Sequence, residues 1–386
     1  MINYLDNAAT TFPKPLCVYE EVAKCMTRYC GNPGRSSHSL SLDAARKIYE
    51  CRSLLADLLG VGELERIIFT LNTTYALNTV IKGVLKKGDH VIISDLEHNA
   101  VWRPIHKLYE KGEIEYDVFS SMTLSPRRSP TLICAKIASL LRPNTRMVIA
   151  THASNICSAT LPILEIGEFC RKRGIFFLVD AAQSAGHYPI DVDSMNISAL
   201  CAPSHKALYG PQSCGIIALG KGITIDTLIE GGNGVSSLEP QMPLFSPERY
   251  EAGTLPTPMI AGLCEGIKTI TSYGLSAIAE YESSLFTYAL EMLCNIPEIS
   301  VYAPSYKGAT MLFNAKGIPS EELAMLLDSY GICTRGGFHC SALAHKTLGT
   351  ASDGALRVSL GIFNQKKDID SLAKSLSAII SEKSQK

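Results

Sequence analysis

Five stretches of the sequence place polar or charged side chains directly after short apolar runs. They are Asn72-Thr73-Thr74, Asp95-Leu96-Glu97-His98-Asn99, Thr151-His152-Ala153-Ser154-Asn155, Asp180 with Gln183 three residues on, and Ser204-His205-Lys206. Singly, each has an ordinary use: Asn72 or Asp180 can cap a helix, His98 can sit in a turn, and Lys206 can be a solvated lysine. As an ordered set they offer more. Hydroxyls and free amides where a helix opens suit a phosphate. An imidazole can lie on a flat ring, a carboxylate can keep a pyridine nitrogen protonated, and a lysine can condense with an aldehyde. Those are the needs of pyridoxal 5'-phosphate (PLP). A lysine taken out of water has a lowered pKa and serves as nucleophile, then as proton shuttle.

A second group lies near the C-terminus. Thr334-Arg335-Gly336-Gly337-Phe338-His339-Cys340 is glycine-rich, with Arg335 and His339 close to Cys340 in sequence. An exposed, electropositive loop favours the thiolate, and an unperturbed thiol is only about 3% thiolate at pH 7. Arg357 lies in the apolar run Leu356-Arg357-Val358-Ser359-Leu360. Its planar fork suits a carboxylate, and a surface ion pair is the plainer reading. His345 beside His339 and Cys340 raises the question of a metal. No other close ligand pair exists, so no metal is expected. The other twelve of the 13 cysteines are scattered without a Cys-x-x-Cys pair and read as small buried hydrophobes of a reducing compartment.

Those residues need a scaffold. Apolar runs at 66–70, 90–94, 114–119, 147–150, 175–179 and 215–219, with a shorter one at 199–201, read as strands. Helical patterns at 42–59, 74–85, 130–141 and 163–172 alternate with them. Runs such as Ile175-Phe176-Phe177-Leu178-Val179 are apolar on both faces, as strands covered by helices on each side must be. Alternation of this kind predicts an α/β, mostly parallel sheet, in which ligands gather at the carboxyl ends of the strands. The stretch from Gly231 to about Pro258 is loop-rich. A helical region at 260–294, strands at 309–314 and 356–360, and helices at 320–330 and 367–381 then predict a smaller α+β part.

Composition sets the outer limits. A chain of 386 residues with a formal charge of −1 is neither a strongly basic nucleic-acid binder nor an acidic tail protein. With 46% hydrophobic and 19% charged residues it is globular. No apolar run approaches the roughly 18 residues of a membrane span. The first residues lack the basic-then-apolar pattern of a signal peptide, so a cytoplasmic location is expected.

With these motifs in place, the sequence resembles the class V aminotransferase-type PLP enzymes, in their cysteine desulfurase and selenocysteine lyase branch. The likeness runs nearly end to end. It starts at Tyr4-Leu5-Asp6-Asn7-Ala8-Ala9-Thr10-Thr11 and reaches Arg357-Val358-Ser359-Leu360 and the closing helix, and its most specific pieces are Ser204-His205-Lys206 followed by Tyr209-Gly210-Pro211, Glu251-Ala252-Gly253-Thr254, and Arg335-Gly336-Gly337-Phe338-His339-Cys340. The resemblance implies PLP-dependent transferase fold type I, with a large cofactor domain over 16–258 and a small domain from 1–15 and 259–386. It implies a homodimer with cofactor sites at the interface.

By position, the resemblance makes Lys206 the cofactor's lysine and Asp180 the partner of the pyridinium nitrogen. His98 would stack on the ring and belongs with Lys206 and Cys340 in the catalytic set. Gln183 and Asn155 would bond the ring oxygen or the substrate. Thr73, Thr74 and His205 would hold the phosphate, helped by Thr257 from the second subunit. Arg357, with Asn155 and Arg335, would bind the substrate, and Cys340 would accept sulfur. The implied reaction takes L-cysteine to L-alanine and leaves a persulfide on Cys340, to be collected by a protein acceptor. The spacing from Arg335 to Leu348 has no long insertion, as in the group with a short cysteine loop. Selenocysteine lyase, another PLP-dependent C–S lyase or aminotransferase, and a sulfur-relay docking partner with weak turnover are the alternatives. Two positions depart from the family pattern. Pro203 and Ser204 replace a hydroxyl residue and a glycine before the lysine, and Leu255-Pro256 replaces Pro-Asn.

Overall fold

The run Phe176–Asp180 is buried along its whole length, so it can only be a central strand with cover on both faces. The computed structural model, which describes residues 2–34, 36–306 and 308–384, places it there. In chain order the elements are β1 (Asn3–Tyr4), α1 (Leu16–Lys24), α2 (Ser39–Leu59), β2 (Ile67–Thr70), α3 (Thr73–Val84), β3 (Asp89–Ser94), α4 (Asn99–Glu110), β4 (Ile114–Phe119) and α5 (Pro130–Ala138). There follow β5 (Thr145–Thr151), α6 (Ile163–Arg171), β6 (Phe176–Asp180), β7 (Ala199–Pro203), β8 (Gly215–Leu219), α7 (Thr257–Tyr273), α8 (Leu275–Cys294), β9 (Ile299–Tyr302) and β10 (Thr310–Ala315). The chain closes with α9 (Ser320–Ser329), β11 (Ile332–Cys333), α10 (Ala342–Leu348), β12 (Leu356–Ser359) and α11 (Lys366–Ser384).

Seven strands form one sheet in the order β2-β8-β7-β6-β5-β3-β4. Alternate residues feed two cores. Ile92, Val148, Phe177 and Val179 pack with α2, α5, α6 and α7, whereas Val91, Ile93, Ile149 and Leu178 pack with α3 and α4. The pairs β3–β4, β3–β5, β5–β6 and β6–β7 are parallel. Only β8 opposes its neighbours, β7 and β2. That reversal matters for chemistry. Parallel neighbours need a long crossover, whereas antiparallel ones can be joined by a turn. The connection from β7 back to β8 is such a turn, and it carries Ser204-His205-Lys206 at the carboxyl end of β7. Strand order also reverses between β3 and β5, which opens the crevice where ligands collect in such sheets.

The remaining strands form β12-β10-β9, antiparallel throughout, and the parallel pair β1–β11. They cover α8, α9 and α11 around a third core containing Leu285, Phe313, Leu323, Leu356 and Leu376. Leu5 is buried in that core too, so the N-terminal segment crosses to the C-terminal elements. Asp6 bridges to Ser359 and so comes beside β12.

The helical region expected at 260–294 is built as two helices, α7 and α8, separated where Gly274 takes φ 83°. Helix α4 was not foreseen; Pro104 inside it interrupts the pattern that periodicity reads. Among the described residues no helix is long and apolar enough to cross a membrane.

Candidate active site

The carboxyl ends of β3, β5, β6 and β7 and the N-terminus of α3 surround a cavity of about 330 Å³. Thr73, Thr74, His98, Asn155, Asp180, Gln183, His205, Lys206, Arg335 and Arg357 all line it. A larger neighbouring cavity of about 530 Å³ shares Ala153 and Gln183 with it but contains no lysine.

On the phosphate side, Asn72 caps α3 by accepting from the Tyr75 N–H at 3.0 Å. The first-turn amides that follow it open toward the cavity as helix N-termini do. Thr73 is buried and its Oγ1 has no partner; Thr74 is exposed. The His205 ring likewise keeps Nδ1 buried and unpartnered. Burial first, then Lys206 and Lys14, pushes its pKa down to about 4. Ser204 does not replace the hydroxyl missing at Pro203. Its Oγ turns away and donates to the Pro211 carbonyl.

Asp180 ends β6, is buried, and accepts from the Ala182 N–H at 2.9 Å. Burial raises its pKa, against the pull of that N–H and of Lys206. Burial also lowers Lys206, to about 8; Asp180 opposes this, and Arg357 and Arg335 add to it. Gly186, at φ 95°, lets the turn after β6 lie against the lysine segment. A Cβ there would stand 2.3 Å from the Ala207 carbonyl oxygen. His98 caps α4, its Nδ1 accepting from the Ala100 N–H at 3.0 Å. Burial, then Lys206 and three arginines, pushes it down to about 4, so it is a neutral, flat ring in the cavity wall.

Arg357 is 1% exposed on β12. Its Nη1 donates to the Asn155 carbonyl at 3.1 Å and its Nη2 to Asp6 Oδ1 at 2.5 Å. Nε has no partner. Arg335 pairs its backbone with Arg357 and brings Nη2 to 3.9 Å from Cys340 Sγ. Cys340 is exposed and lies at the rim rather than among the residues lining the cavity.

Three expectations change. His339 does not make the loop electropositive. Its ring is buried and bonded to the Arg335 carbonyl, and burial pushes its pKa to about 3, which leaves Arg335 as the cation beside Cys340. Asn155 spends its amide on the cysteine loop, donating to the His339 carbonyl at 3.0 Å and accepting from Ser341 Oγ at 2.6 Å. Gln183 donates to the Ala8 carbonyl. Thr257 is 2% exposed at the start of α7 within its own chain, whereas Thr254 is exposed. Sequence reasoning also missed Lys14. Its Nζ donates to the His205 carbonyl at 2.6 Å and to Thr11 Oγ1 at 2.5 Å, and burial lowers its pKa to about 7. Only the fold brings it to the lysine turn, so no spacing marks it.

The residues fit PLP. Thr73 Oγ1 and His205 Nδ1 are the two unpartnered polar atoms where a phosphate would sit, and buried polar groups ordinarily have partners. Asp180 and Lys206 face the same cavity, one able to hold a proton on a ring nitrogen, the other able to condense with an aldehyde. Among the described residues no three His, Cys, Asp or Glu side chains converge as metal ligands.

The family model described as aminotransferase class-V matches residues 3–372. A cysteine desulfurase of Salmonella agona (strain SL483) is 30% identical over 385 residues, 97% of this chain and 93% of the relative. One of Yersinia pestis (strain Pestoides F) is 31% identical over 386 residues, with the same coverage. The apo structure of a cysteine desulfurase from Thermococcus onnurineus NA1 superposes with a TM-score of 0.88 at 26% identity, covering 99% of this chain and 95% of that one. A cysteine desulfurase of Escherichia coli in its S-sulfonic acid form has a TM-score of 0.84 at 24% identity, over 98% and 95% of the two chains. That last likeness is one of fold alone, and it agrees with the fold type I architecture expected from the sequence.

Proposed function

The chain belongs to the aminotransferase class-V family, and on that premise we propose that it is a PLP-dependent cysteine desulfurase, converting L-cysteine to L-alanine. One observation carries the reading. The cavity that holds Lys206 opposite buried Asp180 is also lined by Arg335, whose guanidinium stands beside the exposed thiol of Cys340. When bound, the cofactor supplies an electron sink for the charge left at the substrate Cα.

Thr73, His205 and the α3 amides hold the phosphate, Asp180 the ring nitrogen, and His98 the ring face. Arg357 grips the substrate carboxylate, exchanging Asp6 for it at Nη2. Lys206, with its lowered pKa, takes the Cα proton as a neutral amine. Cys340, as thiolate, then bonds to the substrate sulfur while the substrate's C–S bond breaks. The bonding pair leaves with the carbon fragment, which takes up one proton at Cβ and regains one at Cα, the latter returned by Lys206, to become alanine, and Cys340 keeps the sulfur as a persulfide.

Cys340 sits on a short loop, so a protein acceptor must come to it. In this reading a second copy of the chain completes the site through the 231–256 loop, where Thr254 is exposed. Residues 16–258 form the cofactor domain, and 1–15 with 259–386 the smaller one. All 13 cysteines are free, which suits a reducing cytoplasm.

The test is product identity. PLP-loaded protein given L-cysteine and a thiol reductant is expected to yield alanine and sulfide in equal amounts. Pyruvate and ammonia in place of alanine would assign an elimination instead. A second expectation concerns grip. Arg357→Lys keeps the charge and loses the planar fork, and kcat/KM should fall roughly 10- to 150-fold, equivalent to about 1.5–3 kcal/mol, the worth of a charge-assisted hydrogen bond. An unchanged kcat/KM would move the carboxylate to another residue.

A further inference from the structure

His339 and Cys340 both have left-handed backbone, at φ 51° and 56°, where residues other than glycine are uncommon. Such backbone persists only when its surroundings over-determine it. Here they do. The His339 carbonyl accepts from Asn155 Nδ2 at 3.0 Å, and the Cys340 carbonyl accepts from the Asn99 N–H at 2.8 Å. The remaining constraint runs through side chains the chemistry above leaves unused.

His339 Nε2 lies 2.9 Å from the Arg335 carbonyl. A carbonyl only accepts, so Nε2 carries the proton and Nδ1 is bare. Nδ1 lies 3.2 Å from His345 Nε2, which must therefore be the donor. That leaves His345 Nδ1 bare, 2.7 Å from Thr350 Oγ1, whose hydroxyl donates to it in preference to its other acceptor, the His345 carbonyl, which is farther away at 3.4 Å. One direction of donation thus runs from Thr350 through His345 and His339 to the Arg335 carbonyl, with both imidazoles neutral. His339, His345 and Thr350 are all buried. Arg335 is in turn paired with Arg357, its N–H donating at 3.2 Å and its carbonyl accepting at 2.8 Å. The chain begins behind α10 and ends on the residue that stands beside Cys340 Sγ.

We propose that His345 and Thr350 are positioning residues for Cys340: their directional hydrogen-bond chain through His339 sets the left-handed turn at 339–340 and the backbone of Arg335, and so fixes where the thiol meets substrate sulfur. The proposal rests on the reading of Cys340 as sulfur acceptor. It assigns the buried histidines to orientation and not to a metal, since both nitrogens of each ring are already committed.

The test uses cofactor-loaded protein carrying Thr350→Val, Thr350→Ser, His345→Leu, His345→Gln or Cys340→Ala. Valine keeps the shape of threonine without the hydroxyl, and serine restores the hydroxyl. Leucine cannot donate to His339, whereas the glutamine amide can. Four quantities are read: the visible absorbance of bound cofactor, deuterium exchange at the cysteine Cα, KM for L-cysteine, and the rate of the first turnover to alanine. Thr350→Val and His345→Leu should leave absorbance, Cα exchange and KM within about two-fold of wild type and slow the first turnover about ten-fold or more, as a lost hydrogen bond and a misplaced nucleophile imply. Serine and glutamine should recover most of it. A wild-type first turnover in both Thr350→Val and His345→Leu overturns the proposal. So does a joint loss of cofactor, exchange and turnover that serine and glutamine do not recover, since that marks support of the fold alone. If Cys340→Ala makes alanine at the wild-type rate, the acceptor reading itself fails, whatever the other variants do.

Discussion

Replacing Lys206 with alanine is expected to end turnover, with alanine formation from L-cysteine falling by at least about 10⁴-fold. A positioned general base contributes roughly 10²–10⁴, and under the proposed function this lysine would also make the covalent link to the cofactor. The structure argues for this lysine on two grounds. It sits in a turn at the carboxyl end of β7, opposite buried Asp180 in one cavity, and burial brings its pKa to about 8, so a useful fraction is neutral near pH 7. The chemical rival is Lys14, lowered further, to about 7, and only one carbonyl away from the same turn. Lys14 does not line the cavity, and its ammonium is committed to His205 and Thr11. Borohydride reduction of the wild-type protein followed by peptide mass spectrometry separates the two. The reduced cofactor is expected on the peptide bearing Lys206; on Lys14, it would reverse the assignment.

What could be read from the sequence follows from what kind of force positions each element. Central strands such as Phe176–Asp180 were legible because burial on both faces leaves an unbroken apolar run. The residues after them were legible as a site because topology places strand ends together whatever the loops do. The direction of β8 was not legible, since an apolar strand reads the same in either sense, yet that reversal turns Lys206 back into the crevice. Helix α4 was hidden by Pro104. The cysteine loop shows the sharper limit. Arg335, His339 and Cys340 are close in sequence, and proximity suggested that both cations serve the thiol. In the fold, His339 points the other way, into His345 and the Arg335 carbonyl. Side-chain direction in a left-handed turn is set by long-range partners such as Asn155 and Asn99, which lie some 180 and 240 residues away in sequence. Thr257 and Thr254 show the same limit: a motif gives the segment, but burial decides which of its residues reaches the surface.

Cys340→Ala is expected to divide the reaction in two. Lys206, Asp180, His98 and Arg357 are untouched by the change, so the variant should bind cofactor, bind L-cysteine, and exchange the Cα proton with deuterated solvent at close to the wild-type rate. Alanine should fall at least about 10²-fold, because the proposed sulfur-accepting nucleophile is gone. The wild-type protein supplies the complementary result. The loop from Arg335 to α10 is short, its backbone is pinned by Asn99, Asn155 and Ser341, and it cannot carry the thiol away from the cavity. In the proposed reaction, sulfur would therefore stay on Cys340 until something comes to collect it. Without reductant, mixing with L-cysteine should therefore give a burst of about one alanine per site followed by a slow phase. A thiol reductant should restore cycling, and a protein acceptor that docks at the exposed rim should restore it faster. A linear time course that no reductant improves, together with wild-type alanine formation by Cys340→Ala, would remove Cys340 from the reaction and leave C–S cleavage to elimination from the substrate alone.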